Sequence, residues 1–333
     1  MTIEKGIYLL ANDNVYDQVV ALINSIEANY SKDIPICIIP FNDSLDLIRQ
    51  EVARRPQLSL FEDRRSIEKW ENFIKKFQEI YLNYPIPGVD RKKVEILTMH
   101  RKYCAFDGDF EKFIYIDTDC LVFQSLEHIF KKLEEYEFVV HDFQRNTDIR
   151  TGTVDYFFEA FKDQYSSKDE LAKRFHCGGF WASRRQMFTE EDLSDFLTEA
   201  EAGDARIFKT PWKTEEVRQL SEQTTINYMT LKKQLKLYNF TLEEDSSPYK
   251  TGCNVTSKHF EEKDRILYDK GKRLTYLHYM GIKSHRIKHL CEIEKLNLPL
   301  KKLTYKLADK FLKWGVSSIP YRDIFLYYRF LNS

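Results

Sequence analysis

Phe113-Ile114-Tyr115-Ile116-Asp117-Thr118-Asp119-Cys120-Leu121-Val122-Phe123 is the stretch whose reading decides the fold. An apolar, β-like run leads into two carboxylates one residue apart, and a second apolar run follows them. A parallel strand buried on both faces reads as such a continuous run, and its carboxyl end is where α/β sheets bind ligands. Two carboxylates there repel each other and lose hydration unless a cation or several hydrogen-bond donors compensate. A divalent metal resolves this economically. Hard ions such as Mn²⁺ and Mg²⁺ favour carboxylate oxygens and share their coordination shell with substrate phosphates. A turn with two solvated aspartates is the alternative, and a bare Asp-x-Asp does not separate the two.

Upstream, Gly6 to Ala11 reads as a buried strand, Val15 to Ile26 has apolar residues at helical spacing, and Ile34 to Pro40 is a second strand. This βαβ opening requires a right-handed crossover and puts the first strand-to-helix loop at the ligand edge. Asn12, Asp13 and Tyr16 are thereby placed to meet a nucleotide base or ribose, while Asn12 or Asp13 serves equally well as a helix cap. From Ser44 to Lys93 the text turns charged and amphipathic, with helices expected over 45–55 and 66–81 and a breaker at Tyr84-Pro85-Ile86-Pro87-Gly88. A helix over 96–106 carries Arg101 and Lys102, which either neutralise a diphosphate or are solvated.

Downstream, helices are expected over 125–135 and 166–174, and Glu137 to His141 is a strand ending in Asp142. Gly178 and Gly179 permit backbone to pass close to a ligand, or mark a bulge. Ser221-Glu222-Gln223-Thr224 opens a helix with a capping pattern. Leu274 to Lys283 is a strand ending in His278, Gly281 and Lys283, whose histidine and lysine answer the needs of the Asp-x-Asp site. The remainder, from Leu296, is helical, with Lys301, Lys302, Lys306, Lys310 and Lys313 beside Phe311, Trp314, Phe325, Tyr327, Tyr328 and Phe330. It either packs back on the domain or meets a membrane surface or partner.

Composition bounds the rest. The chain of 333 residues is 43% apolar with net charge −1, enough for a large core and without a field that recruits nucleic acid. Its six cysteines form no Cys-x-x-Cys pair, which argues against a zinc ribbon or redox motif, and those in strand contexts read as small hydrophobes. No signal-peptide pattern and no membrane-spanning run is apparent, so the cytoplasm is the expected compartment.

Taken together, these pieces resemble the GT-A glycosyltransferases, in particular the glycogenin and galacturonosyltransferase-like family. Leu10-Ala11-Asn12-Asp13-Asn14-Val15-Tyr16 is similar to the family's nucleotide-binding loop, and Tyr115-Ile116-Asp117-Thr118-Asp119 to its metal motif. Arg101/Lys102 resembles its donor-binding lysine. Glu222-Gln223-Thr224-Thr225-Ile226-Asn227 is similar to its Asp-Gln-Asp-x-x-Asn segment, and His278-Tyr279-Met280-Gly281-Ile282-Lys283 to its His-x-x-Gly-x-x-Lys-Pro element. The family's Phe-Asn-x-Gly stands here as His176-Cys177-Gly178-Gly179, and Ser284 replaces its proline.

The resemblance implies an α/β GT-A fold, Rossmann-like, with a mainly parallel central sheet flanked by helices. Its expected domain spans 1–290, with a helical insertion at 44–93 and a helical extension at 291–333. It implies a hexosyltransferase moving a sugar from a nucleotide-diphosphate donor, UDP-sugar foremost, to a glycan, lipid or small-molecule acceptor, with retention of configuration. Asp117, Asp119 and His278 would hold Mn²⁺ or Mg²⁺. Asn12, Asp13, Tyr16, Arg101, Lys102, Thr118, Gly178, Gly179, Gly281 and Lys283 would bind the donor. Gln223, Asp142 and Glu222 would serve the transferring sugar, Glu222 or Asp142 being the base of an inverting variant. The alternatives are a non-catalytic nucleotide- or carbohydrate-binding protein on the same scaffold, and an Asp-x-Asp phosphatase with Asp117 as nucleophile.

Overall fold

In the computed structural model, which describes residues 2–83, 97–142, 157–158, 160–203, 221–296 and 301–332, the opening strand is β1, Ile3–Ala11. Ile7 and Leu9 are fully buried, as a strand covered on both faces requires. β2 (Ile36–Pro40) pairs parallel to it in the register Ile7↔Ile36 through Ala11↔Pro40. Between them runs α1, Tyr16–Asn29, buried without a break from Gln18 to Ile26. Its wide apolar surface packs against β5 (Cys120–Val122) and the helix Arg322–Phe330.

β3 (Leu58–Leu60) extends this parallel set beyond β2. The 44–93 stretch is therefore not purely helical: α2 (Asp46–Arg54) and α3 (Arg64–Asn83) flank a strand that Leu58 and Leu60 build into the sheet. The Tyr84–Gly88 breaker lies outside the described residues. The helix expected over 96–106 is a 3-10 helix, Leu97–Phe106, in which Tyr103, Cys104, Ala105 and Phe106 are all fully buried.

With β4 (Phe110–Ile116), β6 (Phe138–Val140), β7 (Phe180–Arg184) and β8 (Leu237–Asn239), the seven-stranded sheet runs β3-β2-β1-β4-β7-β6-β8. β6 is parallel to β8 and antiparallel to β7. This is a mixed α/β architecture with a mostly parallel sheet. A further antiparallel sheet joins β9 (Glu261–Lys263), β10 (Ile266–Asp269) and β11 (Lys272–Arg273).

The opening stretch divides. β4 ends at Ile116, the Cys120 amide donates to Asp117 O at 3.2 Å across a turn, and Cys120–Val122 continues as β5 in another sheet. There β5 pairs antiparallel with β12, Tyr276–His278.

The chain clusters into two compact units: residues 1–5, 62–115 and 129–242, and residues 6–61, 116–128 and 243–333. In the second, Leu121, Phe123, Leu277, Ile287, Leu290, Cys291, Phe325 and Tyr328 share one core. The boundary expected at 290 falls inside the helix Ser284–Lys295, whose apolar face, Ile287, Leu290, Cys291 and Ile293, belongs entirely to that core. The helix Arg322–Phe330 is likewise part of the unit, because Asn24 Nδ2 donates to Tyr328 O at 2.7 Å and Arg329 Nε lies 2.6 Å from Asp17.

Candidate functional site

The second unit brings together Asp119 and His278. Antiparallel pairing of β5 with β12 sets His278 opposite Cys120, and the Tyr279 amide donates to Asp119 O at 2.8 Å. Cross-strand partners present their side chains on the same face of the sheet. His278 Nε2 lies 3.2 Å from Asp119 Oδ1, with His278 6% and Asp119 25% exposed at the side chain. The Cys120 sulfur joins them: one donor atom from each of Asp119, Cys120 and His278 lies within 4.8 Å of the other two.

This donor set suits a divalent cation. The carboxylate suits Mn²⁺ or Mg²⁺ with additional oxygen ligands, while the imidazole and the thiolate suit softer ions such as Zn²⁺. Asp117 is half-buried and Thr118 buried in the turn that precedes Asp119. Cys120 escaped the sequence reading because an isolated cysteine in an apolar strand is indistinguishable from a packing residue. Only its register opposite His278 marks it.

After His278 the chain turns at Gly281, whose φ of +81° is a conformation that favours glycine. The Ile282 amide donates to Tyr279 O at 2.9 Å across this turn. Lys283 follows, exposed, as the N-cap residue of the helix Ser284–Lys295. Exposed backbone N–H groups and the dipole at such a terminus favour an anion. Burial drives the Tyr279 hydroxyl well above the usual tyrosine range, so it stays protonated and donates to Tyr321 O at 3.0 Å.

In the loop after β1 the expected nucleotide-binding side chains make structural contacts. Asn12 Oδ1 accepts from the Asn14 amide at 3.1 Å, capping a 3-10 turn. Asp13 Oδ1 accepts from the amides of Leu47 and Ile48 at 3.0 and 3.1 Å, in the first turn of α2. Tyr16 donates to Glu51 at 2.9 Å, and burial followed by that carboxylate raises its pKa. The Arg329 guanidinium lies 5.5 Å from the centre of the Tyr16 ring.

The first unit holds the remaining residues. Arg101 pairs with Glu71 at 2.6 Å. Lys102, only 1% exposed at its side chain, donates to Gly178 O at 3.2 Å, approaches Glu222 to 3.8 Å and lies 5.0 Å above the Tyr115 ring centre. These contacts give both cations structural partners where the sequence suggested diphosphate or solvent.

Asp142 is buried, and its carboxylate accepts from the Cys177 amide at 3.1 Å. Neither Gly178 nor Gly179 has positive φ, and a Cβ on Gly178 would meet Gln223 Cα at an ordinary 3.5 Å. Asn227 fastens the same loop: its Oδ1 accepts from His176 N at 3.0 Å, and its Nδ2 donates to His176 O and Gln223 O at 2.8 and 2.7 Å. The helix Glu222–Lys232 begins where expected, with Ser221 accepting from the Thr224 amide, and leaves Glu222 and Gln223 half-buried. Tyr103, buried and held protonated by that burial, donates to Glu222 O at 2.5 Å.

No family model and no curated protein matches the chain. Among solved structures, it is similar to mouse xyloside xylosyltransferase 1 in its apo form, at 7% identity and a TM-score of 0.47 over 71% of this chain and 84% of that one. It is similar to the galactosyltransferase LgtC in complex with donor and acceptor sugar analogues, at 15% identity and a TM-score of 0.46 over 83% and 87% of the two chains. It is also similar to core-mannan synthase A of Aspergillus fumigatus in an Mn/GDP form, at 8% identity and a TM-score of 0.38 over 72% and 73%.

Proposed function

We propose that the protein is a metal-dependent glycosyltransferase of the GT-A type that uses a nucleotide-diphosphate sugar, UDP-sugar foremost, and acts with retention. The observation that carries this reading is the meeting of Asp119 and His278, far apart in sequence, at 3.2 Å. Lys283, exposed at a helix N-terminus one short turn beyond His278, supports a role in holding the diphosphate. A divalent cation held by Asp119 and His278, with Asp117 as a further ligand, would supply positive charge to the departing diphosphate.

Lys283 would add a charge-assisted contact to the same leaving group. Thr118 and the loop Asn12–Tyr16 would orient the nucleoside, in part through backbone groups, since the side chains of Asp13 and Tyr16 already brace α2. Roles for Gln223, Asp142 and Glu222 at the transferring sugar, and for Gly178 and Gly179 at the donor, rest on the sequence resemblance alone. The acceptor belongs to the class of glycans, lipids or small hydroxyl-bearing molecules.

The partners of Arg101 and Lys102 favour a second reading, a nucleotide- or sugar-binding protein without turnover. A donor panel assayed for nucleotide release, with and without Mn²⁺, separates the two. Release that requires Mn²⁺ and disappears in Asp119→Ala is the expected result. Tight nucleotide binding without release for any donor and acceptor would overturn it.

A further inference from the structure

The helix Lys301–Leu312 has apolar residues on two opposite faces. Tyr305 and Ala308 point inward and share a core with Ile287, Leu290 and Val316. Leu303, Leu307 and Phe311, spaced i, i+4, i+8 on another face, are 51%, 44% and 70% exposed. Leu312 at the end of this helix and Leu296 just after the preceding one are 54% and 65% exposed. Five of the eight large exposed hydrophobic residues among those described thus fall between 296 and 312. Scattered exposed leucines are ordinary, whereas a stripe of this length marks an interaction surface.

The charges beside the stripe identify what covers it. Lys306 and Lys310 are exposed and at 100° per residue flank one edge of the Leu303–Leu307–Phe311 line, and the exposed Lys313 directly follows the end of the helix. Lys310 Nζ lies 5.4 Å from the centre of the Phe311 ring. The one acidic residue of this helix, Asp309, is turned to its own structure, where it accepts from the amides of Val316 and Ser317 at 2.6 and 2.9 Å. An apolar line with a lysine edge and no outward acid is complementary to an anionic lipid surface. Leucine and phenylalanine enter the acyl boundary, and lysine ammonium groups reach the headgroup phosphates. A second copy docked on this face with the two helices antiparallel would instead bring two lysine edges to one seam.

Of the aromatic residues to which the sequence drew attention, Phe311 lies on this line and others lie elsewhere. Phe325 and Tyr328 are buried in the core, and Trp314 stacks on His289 at 4.1 Å between ring centres. Among the described residues no helix is long and apolar enough to cross a membrane, so the surface fits a helix lying in the interface.

We infer that Leu303, Leu307 and Phe311, edged by Lys306 and Lys310 and followed by Lys313, form a peripheral docking face for anionic lipid bilayers. Flotation of the full chain with phosphatidylcholine vesicles, with and without phosphatidylglycerol, tests it. The expected result is binding to the anionic vesicles, weakened by added salt. Leu303→Ser/Leu307→Ser/Phe311→Ser should lower partitioning at least about tenfold while leaving the thermal melt in place. Lys306→Gln/Lys310→Gln/Lys313→Gln should lose about tenfold or more of the preference for anionic over neutral vesicles. No vesicle binding by the well-folded wild type would overturn the inference. So would binding unchanged in the serine variant, or a dimer in light scattering that the serine variant dissolves while vesicles bind neither.

Discussion

His278 Nε2 lies 3.2 Å from Asp119 Oδ1, a contact between the last residue of β12 and the residue just before β5, distant in the chain. As metal ligands they would be worth at least as much as the outer residues of metal sites, whose loss costs about 10–100-fold in affinity. Asp119→Ala and His278→Ala should each weaken Mn²⁺ binding by that factor or more, measured by calorimetry or by the solution signal of free Mn²⁺. Chelation of the wild type should stop nucleotide release, and Mn²⁺ should restore it.

The Cys120 sulfur lies within 4.8 Å of a donor atom from each of these two residues and is buried. A thiolate selects softer ions than a carboxylate does. Co²⁺ bound to the wild type should show a sulfur-to-metal charge-transfer band that Cys120→Ser lacks, while Mn²⁺ affinity changes little. Identical Co²⁺ spectra would remove Cys120 from the ligand set.

Asp13 joins the loop after β1 to α2 through two backbone amides. Asp13→Ala should cost about 1 kcal/mol in urea unfolding, as losing a cap does, and Asp13→Asn should retain most of it. Because asparagine keeps the acceptor and drops the charge, a large loss of nucleotide affinity in Asp13→Asn alone would mark a direct role at the donor.

Gly281 has φ +81° and no atom within 4 Å of a Cβ built on it. Gly281→Ala should therefore destabilise through backbone strain without a clash, by about 1–2 kcal/mol. If the turn also positions Lys283, nucleotide affinity should fall further than the melting temperature indicates.

Asn227 makes three hydrogen bonds to backbone at His176 and Gln223. Asn227→Ala would leave buried polar groups without those partners, each worth about 1–3 kcal/mol. Denaturant unfolding should show a loss of about 3 kcal/mol, with faster amide exchange at His176.

The sequence by itself determined the local elements. Continuous apolar runs produced β1 and β2, apolar residues at helical spacing produced α1, the capping serine at 221 started the helix Glu222–Lys232, and two carboxylates in an apolar run announced a break. Periodicity and propensity are properties of neighbouring residues, so these were legible. Pairing was not. Only the tertiary structure set Cys120 opposite His278, because register between strands is decided by the packing of both faces. Burial decided the rest: Lys102 went to the interior of its unit and Asp13 to an α2 cap, while Leu303, Leu307 and Phe311 faced outward. Residue type records what a side chain can do, and neighbours distant in the chain decide which of those things it does.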